Sequence, residues 1–376
     1  MIILFLIFAA VSFYYLIFLI KIVNGLKIVK NDLDSNSLNE FVSVIIPFRN
    51  EENILQRNLA SVESQSFPKD RYEIIYVDDN SDDNSVKVIE DNISSNNVRI
   101  IKSENNFNDR AHKKLALKIA IENSKGEIII TTDADCFHRR DWLSTMVKKF
   151  DMETGFVSGP VEFVDDGKIF SKLQKLEFSS LIIVGAALIG INEPIICNAA
   201  NLGFRKSVFK LVNGYEDNLN LSSGDDEFLM QKISTRTDYK VKFCYDKNAV
   251  SYTHPNKTIK EFVNQRKRWA SKSFYYVKKS ITLKLLFIYI FYLSFLIQFL
   301  LGIFYDKLFF VSLMFNFIFK VFTENQIVRR ESTDLFKKVS LKLFLLAEIL
   351  HIPYIILAGF SGLFGNYEWK GRKVKR

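Results

Sequence analysis

The sequence predicts an α/β fold with a mostly parallel sheet, placed between transmembrane helices at the two ends of the chain. Residues 1–20 contain no charged side chain, and a second apolar zone begins near Leu285. Between these zones, residues 41–165 alternate short β-branched runs with amphipathic runs, which is the pattern of strands joined by helices in a parallel sheet. Composition agrees, because 48% of the 376 residues are hydrophobic and 35 are Phe, more than a soluble chain needs.

Composition and charge exclude several other classes of protein. High apolar content and mixed charge exclude a disordered chain. The three Cys are widely separated, which excludes a disulfide scaffold and suits a reducing compartment. The 51 basic residues outnumber the 42 acidic ones, but their clusters lie beside apolar segments, where anionic lipids account for them. We therefore expect contact with membrane lipids and no nucleic acid partner.

The N-terminal apolar segment predicts a transmembrane anchor over residues 1–24. Its length matches a bilayer core, and Lys21, Lys27 and Lys30 follow its apolar run. A cleaved signal peptide, the alternative, would start with positive charge and have a shorter apolar run. The positive-inside rule then places a folded domain over residues 40–280 in the cytoplasm. The predicted location is the cell (plasma or inner) membrane, with several spans.

The C-terminal apolar zone predicts two to three spans over residues 283–366, followed by a basic tail over 367–376. Its apolar stretches are Leu285–Tyr305, Leu308–Phe319 and Leu343–Phe364. Lys320 is expected to snorkel to the membrane surface, and Glu348 and Pro353 interrupt the last stretch. Length favours three spans, which puts the tail outside against the positive-inside rule. A re-entrant last stretch, the alternative, keeps the tail inside.

The elements of the middle domain follow from hydrophobic periodicity. Phe41–Pro47 predicts a strand, and Glu51–Ser64 predicts a helix with its apolar residues on one face. The next predicted elements are strand Glu73–Val77, helix Asn84–Ile93, strand Val98–Lys102, helix His112–Asn123 and strand Glu127–Thr131. Phe170–Gly190 predicts an apolar helix, either against the bilayer surface or, as the favoured alternative, buried.

Acidic residues follow two of the predicted strands, and ligands bind at the carboxyl ends of strands in such sheets. Asp133 and Asp135 are two carboxylates that can hold Mg²⁺ or Mn²⁺ against a diphosphate; a solvated turn is the alternative. Asp79 could contact a base and ribose, or form a helix cap or Asx turn. The sequence has no Gly-rich phosphate loop, so nucleotide binding would depend on a cation.

A run of adjacent carboxylates, Asp225, Asp226 and Glu227, precedes an apolar segment. Their mutual repulsion predicts that at least one pKa is raised, which suits a general base acting on a hydroxyl. The alternative is a charged helix start, where acidic residues complement the helix dipole.

Two basic segments are candidates for phosphate contacts. Lys113, within the basic segment 112–114, either supplies positive charge near a diphosphate or lies on a solvated helix face. Gln265, Arg268 and Trp269 combine an amide, a guanidinium that can fork a phosphate, and an indole that can cover a sugar ring. The alternative for this second segment is contact with anionic lipid headgroups, and both functions can hold together.

In this order, the motifs resemble membrane-bound glycosyltransferase family 2, over the middle of the chain and its setting between the apolar ends. The matching segments are Val44–Glu52 (VIIPFRNEE), Val77–Ser81 (VDDNS), Thr132–Asp135 (TDAD), Gly224–Asp226 (GDD) and Gln265-x-x-Arg268-Trp269. Each is modest alone, but five in the family's order are a strong signature. Residues 197–209 are also similar to the family's segment before the catalytic base.

The resemblance implies a Rossmann-like fold of the nucleotide-diphospho-sugar transferase A type and an inverting transfer. It implies that Asp226 is the catalytic base and that Asp135 is the main ligand of a divalent cation (Mg²⁺ or Mn²⁺), with Asp133 beside it. With Lys113 added, the residues expected at the nucleotide-sugar donor are Pro47, Arg49, Glu51, Asp79, Lys113 and Asp133. The residues expected to close the acceptor and diphosphate side are Gln265, Arg268 and Trp269. A UDP-sugar is the donor that the resemblance favours.

The predicted function is therefore the transfer of a sugar from a nucleotide-diphosphate sugar to a hydroxyl of a lipid-linked or glycan acceptor, in cell-envelope glycolipid or polysaccharide synthesis. One alternative is a processive β-polysaccharide synthase, which is weakened by Gly-Asp-Asp at 224–226 where such synthases usually have Thr-Glu-Asp. A second is a polyprenyl-phosphate sugar transferase, whose acceptor needs no strong base. A third is a catalytically silent membrane scaffold, against which the intact carboxylates argue.

Overall fold

A computed structural model of the chain describes residues 1–32, 39–103, 112–219, 221, 224–272, 275–336, 340–363, 367–369 and 372–374. Its strands are β1 (Val42–Phe48), β2 (Tyr72–Asp78), β3 (Val98–Lys102), β4 (Ile128–Thr131), β5 (Phe137–His138), β6 (Thr154–Ser158), β7 (Val161–Phe163), β8 (Leu202–Arg205), β9 (Lys240–Phe243), β10 (Ser251–Thr253), β11 (Tyr367–Trp369) and β12 (Arg372–Val374). Its helices are α1 (Ile2–Lys30), α2 (Leu55–Glu63), α3 (Ser85–Asn92), α4 (His112–Glu122), α5 (Trp142–Val147), α6 (Ile169–Gly190), α7 (Lys206–Leu211), α8 (Glu227–Arg236), α9 (Ile259–Ala270), α10 (Lys279–Phe304), α11 (Leu308–Leu335) and α12 (Phe344–Leu363).

The centre of the fold is a seven-stranded sheet with the order β3-β2-β1-β4-β8-β6-β9. The pairs β1–β2, β2–β3, β1–β4 and β6–β9 are parallel, whereas β8 runs antiparallel to β4 and β6. Every residue of β1, β2 and β4 is buried, as expected for a parallel sheet covered on both faces. The predicted α/β class with a mostly parallel sheet is confirmed.

Five helices of the described chain are long and apolar enough to cross a membrane, namely α1, α6, α10, α11 and α12. α6 lies in the middle of the chain and is mostly buried, which agrees with the favoured alternative for this segment. It packs closely along α1, because a Cβ on Gly25 would lie 2.0 Å from the backbone oxygen of Ala187. Small residues allow such close approach of apolar helices.

One expectation about the C-terminal zone is wrong, and it concerns Lys320. The apolar stretch Leu308–Phe319 forms the first part of α11, which continues to Leu335, and Pro353 lies inside α12. Lys320 does not snorkel: its side chain is fully buried and forms ion pairs with Glu324 and Glu348. A charge in an apolar helix bundle is stabilised by such a partner, and the sequence separation between Lys320 and Glu348 hides it. Of the basic tail, 370–371 and 375–376 lie outside the described residues.

Candidate active site

The carboxyl ends of β1, β2 and β4 meet at one edge of the sheet. β1 pairs with β2 on one side, with Phe48 opposite Asp78, and with β4 on the other, with Ile45 opposite Thr131. The chain passes from β1 to β2 on one side and later from β3 to β4 on the other side of β1, and such a reversal opens a crevice between the loops that follow β1 and β4. A cavity of about 1250 Å³ begins there, and the site residues assigned from the sequence all line it: Pro47, Arg49, Glu51, Asp79, Lys113, Asp133, Asp135, Asp226, Gln265, Arg268 and Trp269.

Asp79 lies in the turn after β2 and is 3% exposed. Its backbone N–H donates to the carbonyl of Phe48 at 2.9 Å, and Arg49 Nη1 donates to the carbonyl of Asp79 at 2.8 Å. The neighbouring Asp78 stabilises this turn, since its Oδ1 accepts from the N–H of Ser81, three residues on, at 2.9 Å. The N-cap residue of α3 is Asn84, five positions after Asp79, so Asp79 is not the cap of that helix, and it lines the cavity.

Asp133 and Asp135 stand in the loop after β4, with Lys113 beside them. Lys113 Nζ lies 2.7 Å from Asp133 Oδ1 and 3.2 Å from Asp225 Oδ2. Burial opposes the charge on Lys113, but the two carboxylates outweigh it and raise the pKa of Lys113 above its ordinary value. The alternative of a solvated helix face is wrong, because Lys114 is fully buried and the Lys113 side chain is only 19% exposed.

The Asp-x-Asp pair fits a divalent cation. Asp135 is exposed at the cavity, and its Oδ2 accepts a hydrogen bond from Thr253 Oγ1 at 3.2 Å. Carboxylate oxygens are the ligands that Mg²⁺ and Mn²⁺ prefer. Asp133 faces the same cavity from two residues upstream. The donor set is therefore suitable for such an ion.

Asp226 is held in one orientation at the start of α8. Its Oδ1 accepts from the N–H of Glu227 at 2.8 Å, and its Oδ2 accepts from the N–H of Ala199 at 3.1 Å. The preceding Gly224 has φ +84°, and a Cβ there would lie 2.4 Å from the ring of Phe228, which accounts for glycine at this position. The predicted alternative of a helix start is therefore correct, because Asp226 is the N-cap residue of α8. Its carboxylate also lines the cavity.

A buried charge network behind Asp226 was missed by sequence reasoning. Lys272 Nζ lies 3.2 Å from Glu227 Oε1 and 3.6 Å from Asp226 Oδ1, and the Tyr276 hydroxyl donates to Glu227 Oε2 at 2.9 Å. Burial is the main cause that raises the pKa of Glu227 to about 7; Lys272 opposes the rise and Asp226 adds to it. A raised pKa among these adjacent carboxylates was expected from repulsion, but repulsion is the smaller cause.

Helix α9 presents Gln265, Arg268 and Trp269 to the cavity, because positions i, i+3 and i+4 share one helix face. Arg266 was not selected from the sequence, but it organises this face. It is 3% exposed, forms an ion pair with Glu177 of α6, and donates to Gln265 Oε1 at 2.7 Å. Its guanidinium also lies 4.2 Å from the centre of the Trp269 ring, a cation–π contact.

Comparison with known families identifies the chain. The model of "Glycosyl transferase family 2" matches residues 43–211, and that of "Glycosyl transferase family group 2" matches residues 128–323, more than half of the chain. The chain belongs to glycosyltransferase family 2. The recognition made from the motifs is confirmed, and so is the assignment of the chain as a glycosyltransferase enzyme.

Individual relatives of this glycosyltransferase are similar over much of their length. Glycosyltransferase AglE of Haloferax volcanii is 27% identical over 61% of this chain and 71% of its own. Probable glycosyltransferase YdaM of Bacillus subtilis is 26% identical over 83% of this chain and 70% of its own. A mannosyltransferase of Pyrobaculum calidifontis, solved with GDP-Man and Mn²⁺, superposes with a TM-score of 0.56 at 17% identity, over 93% of this chain and 99% of its own. That likeness confirms the A-type fold.

The cavity of this glycosyltransferase continues from the sheet edge into the apolar helices. Its far walls include Tyr14 of α1, Leu181 of α6, Leu285 of α10 and Tyr354 of α12. Tyr354 links both regions, because its hydroxyl donates to Glu177 Oε1 at 3.3 Å, and Glu177 also binds Arg266. One space is thus polar at the sheet and apolar among the helices.

Proposed function

We propose that this glycosyltransferase is an inverting enzyme that moves a sugar from a nucleotide-diphosphate sugar to a hydroxyl of a lipid-linked or glycan acceptor at the membrane. The supporting observation is one continuous cavity, which is lined by carboxylates at the sheet edge and by apolar helices beyond it. A polar donor and an apolar acceptor can meet in such a space. A related protein of Methanococcus voltae is named as a glucuronosyltransferase of dolichyl N-acetyl-α-D-glucosaminyl phosphate, a lipid-linked sugar.

On this proposal the donor binds at the sheet edge. Asp79 contacts the base, and Pro47, Arg49 and Glu51 line the adjoining wall. Asp135 and Asp133 would hold Mg²⁺ or Mn²⁺, which when bound supplies positive charge to the departing nucleoside diphosphate. The remaining contacts on the diphosphate and acceptor side come from Lys113, Gln265, Arg268 and Trp269.

Asp226 acts as the general base. The two N–H groups that hold its carboxylate leave the orientation of its oxygens fixed, so no reorganisation is needed when a hydroxyl approaches. The carboxylate takes the proton as the hydroxyl oxygen attacks the anomeric carbon in line with the departing diphosphate. A single displacement inverts the anomeric carbon, so an α-linked donor gives a β-linked product. General-base assistance of this kind is worth about 10²–10⁴-fold in rate.

The same proposal includes the membrane setting. Residues 1–24 and 283–366 lie in the cell membrane, and the catalytic domain over residues 40–280 lies on its cytoplasmic side. The apolar surfaces of α1, α10, α11 and α12 support this arrangement, and the basic residues that follow the first span agree with the positive-inside rule.

The test uses the full chain purified in detergent with Mn²⁺, a panel of nucleotide sugars beginning with UDP-sugars, and a membrane lipid extract. We expect one donor to release its nucleoside diphosphate when the extract is present, and we expect mass spectrometry to find a lipid with one added sugar. A ladder of products would favour a processive synthase. A sugar attached directly to a polyprenyl phosphate would favour that transferase class. Absence of both donor turnover and donor binding would contradict the proposal.

A further inference from the structure

Two lysines from different apolar helices meet at one carboxylate on the cavity wall. Lys21 of α1 lies 3.2 Å from Glu193 Oε1, and Lys284 of α10 lies 2.7 Å from Glu193 Oε2. Glu193 follows the end of α6, so the cluster joins three helices. The side chains are 47%, 36% and 29% exposed in the order Lys21, Lys284, Glu193, and all three line the cavity. With two cations and one anion, the cluster carries a net charge of +1.

The cavity is open at this cluster and apolar beside it. Ile17 of α1 and Leu286 of α10 line it although they are 41% and 49% exposed. Val184 of α6 lies on the same wall. Apolar side chains that are exposed yet line a cavity between membrane helices can contact hydrocarbon without cost. The surface is therefore complementary to a ligand with an anionic head and a hydrocarbon chain.

The cluster and Asp226 line the same cavity. Ala199, whose N–H binds Asp226, is six positions after Glu193. Six residues span at most about 20 Å when fully extended, so the backbones of Glu193 and Ala199 lie within that distance of each other. A lipid whose headgroup binds at the cluster therefore lies in the space that the proposed base also faces.

We propose that Lys21 and Lys284 bind the phosphate of the acceptor, a lipid in which a phosphate joins a hydrocarbon chain to the acceptor sugar. This inference rests on the proposed function and names its acceptor class. Glu193 occupies the two ammonium groups when no lipid is bound, and the lipid phosphate displaces it. Phosphate accepts from both lysines at once, and these charge-assisted hydrogen bonds are stronger than neutral ones.

The test measures binding of a polyprenyl monophosphate, of the neutral polyprenol with the same chain, and of inorganic phosphate to the full chain in detergent, by native mass spectrometry. We expect the phosphorylated lipid to bind more tightly than the polyprenol. The double variant Lys21→Ala/Lys284→Ala should weaken its binding by about 10- to 100-fold and leave polyprenol binding unchanged. The matched control is Lys27→Ala/Lys279→Ala, which removes the same charge from the same two helices outside the cavity.

Glu193→Gln separates this function from a merely structural ion-pair cluster. If Glu193 competes with the lipid phosphate, the variant binds the phosphorylated lipid more tightly than the wild type. If the cluster only holds the helices together, the variant binds no more tightly. Unchanged or weaker lipid binding by Glu193→Gln would overturn the proposal. So would an equal loss of lipid affinity in Lys27→Ala/Lys279→Ala, or inorganic phosphate that binds as tightly as the phosphorylated lipid. Because binding needs no turnover, lysine-dependent binding without any sugar transfer would instead refute the proposed function.

Discussion

Replacement of Glu227 by Gln tests the buried charge network behind Asp226. The pKa of Glu227 moves from the ordinary value of 4.5 to about 7, a difference of about 3 kcal/mol between its protonation states. Between about pH 4.5 and pH 7, the Glu227 carboxyl therefore stays protonated in the folded chain but is ionised in the unfolded chain. As pH rises from about 4.5 to about 7, the wild type should lose up to about 3 kcal/mol of stability through this group. Glu227→Gln, which resembles the protonated form, should not.

The assay is thermal unfolding of the full chain in detergent at several pH values between 4.5 and 8. We expect the melting temperature of Glu227→Gln relative to wild type to rise with pH by several degrees and to level off above pH 7. Glu90→Gln, an exposed position on α3, is the control and should show no such trend. A difference between Glu227→Gln and wild type that does not depend on pH, or that falls as pH rises, would refute the reasoning.

Three further changes probe other parts of the molecule. Asp135→Asn should raise the Mn²⁺ concentration needed for half-maximal donor turnover by at least about tenfold, since a ligand loses its charge; an unchanged Mn²⁺ titration would exclude Asp135 as a ligand. Arg266→Leu leaves Glu177, whose side chain is 15% exposed, without its cation and should cost about 1–3 kcal/mol, seen as a lower melting temperature; an unchanged melting temperature would contradict this role. Gly25→Val should separate α1 from α6, because even a Cβ would clash with the backbone of Ala187, and wild-type stability in detergent would refute that packing.

The strands at the site could be predicted from the sequence because their apolar runs are continuous. The predicted bounds of Val98–Lys102 are those of the structure. The prediction for the strand ending at Asp78 differs by one residue at each end, and that for the strand ending at Thr131 differs by one residue at its start. The antiparallel return through β8 could not be predicted, since periodicity says nothing about which distant segments pair. The rule that ligands bind at the carboxyl ends of strands selects Asp79, Asp133 and Asp135, whereas Asp226 and the residues of α9 that share their cavity follow from the motifs.

The residues that were missed have partners far away in the sequence. Arg266 pairs with Glu177 at a separation of 89 positions, and Tyr276 binds Glu227 at a separation of 49. The same holds for Lys320 and Glu348, 28 positions apart. A local pattern identifies a charge but not its buried partner. Such side chains therefore look like solvated or interfacial residues until the fold brings the partners together.

Sugar transfer by Asp226→Asn tests the central claim most directly. With the donor found in the panel, Mn²⁺ and the lipid extract, we expect this variant to bind the donor as the wild type does but to transfer sugar about 10²–10⁴-fold more slowly. Asp91→Asn, on the exposed surface of α3, should transfer at the wild-type rate. Equal rates for Asp226→Asn and wild type would contradict the account, because Asp226 would then not be the base and an acceptor that is already an anion would explain the reaction better.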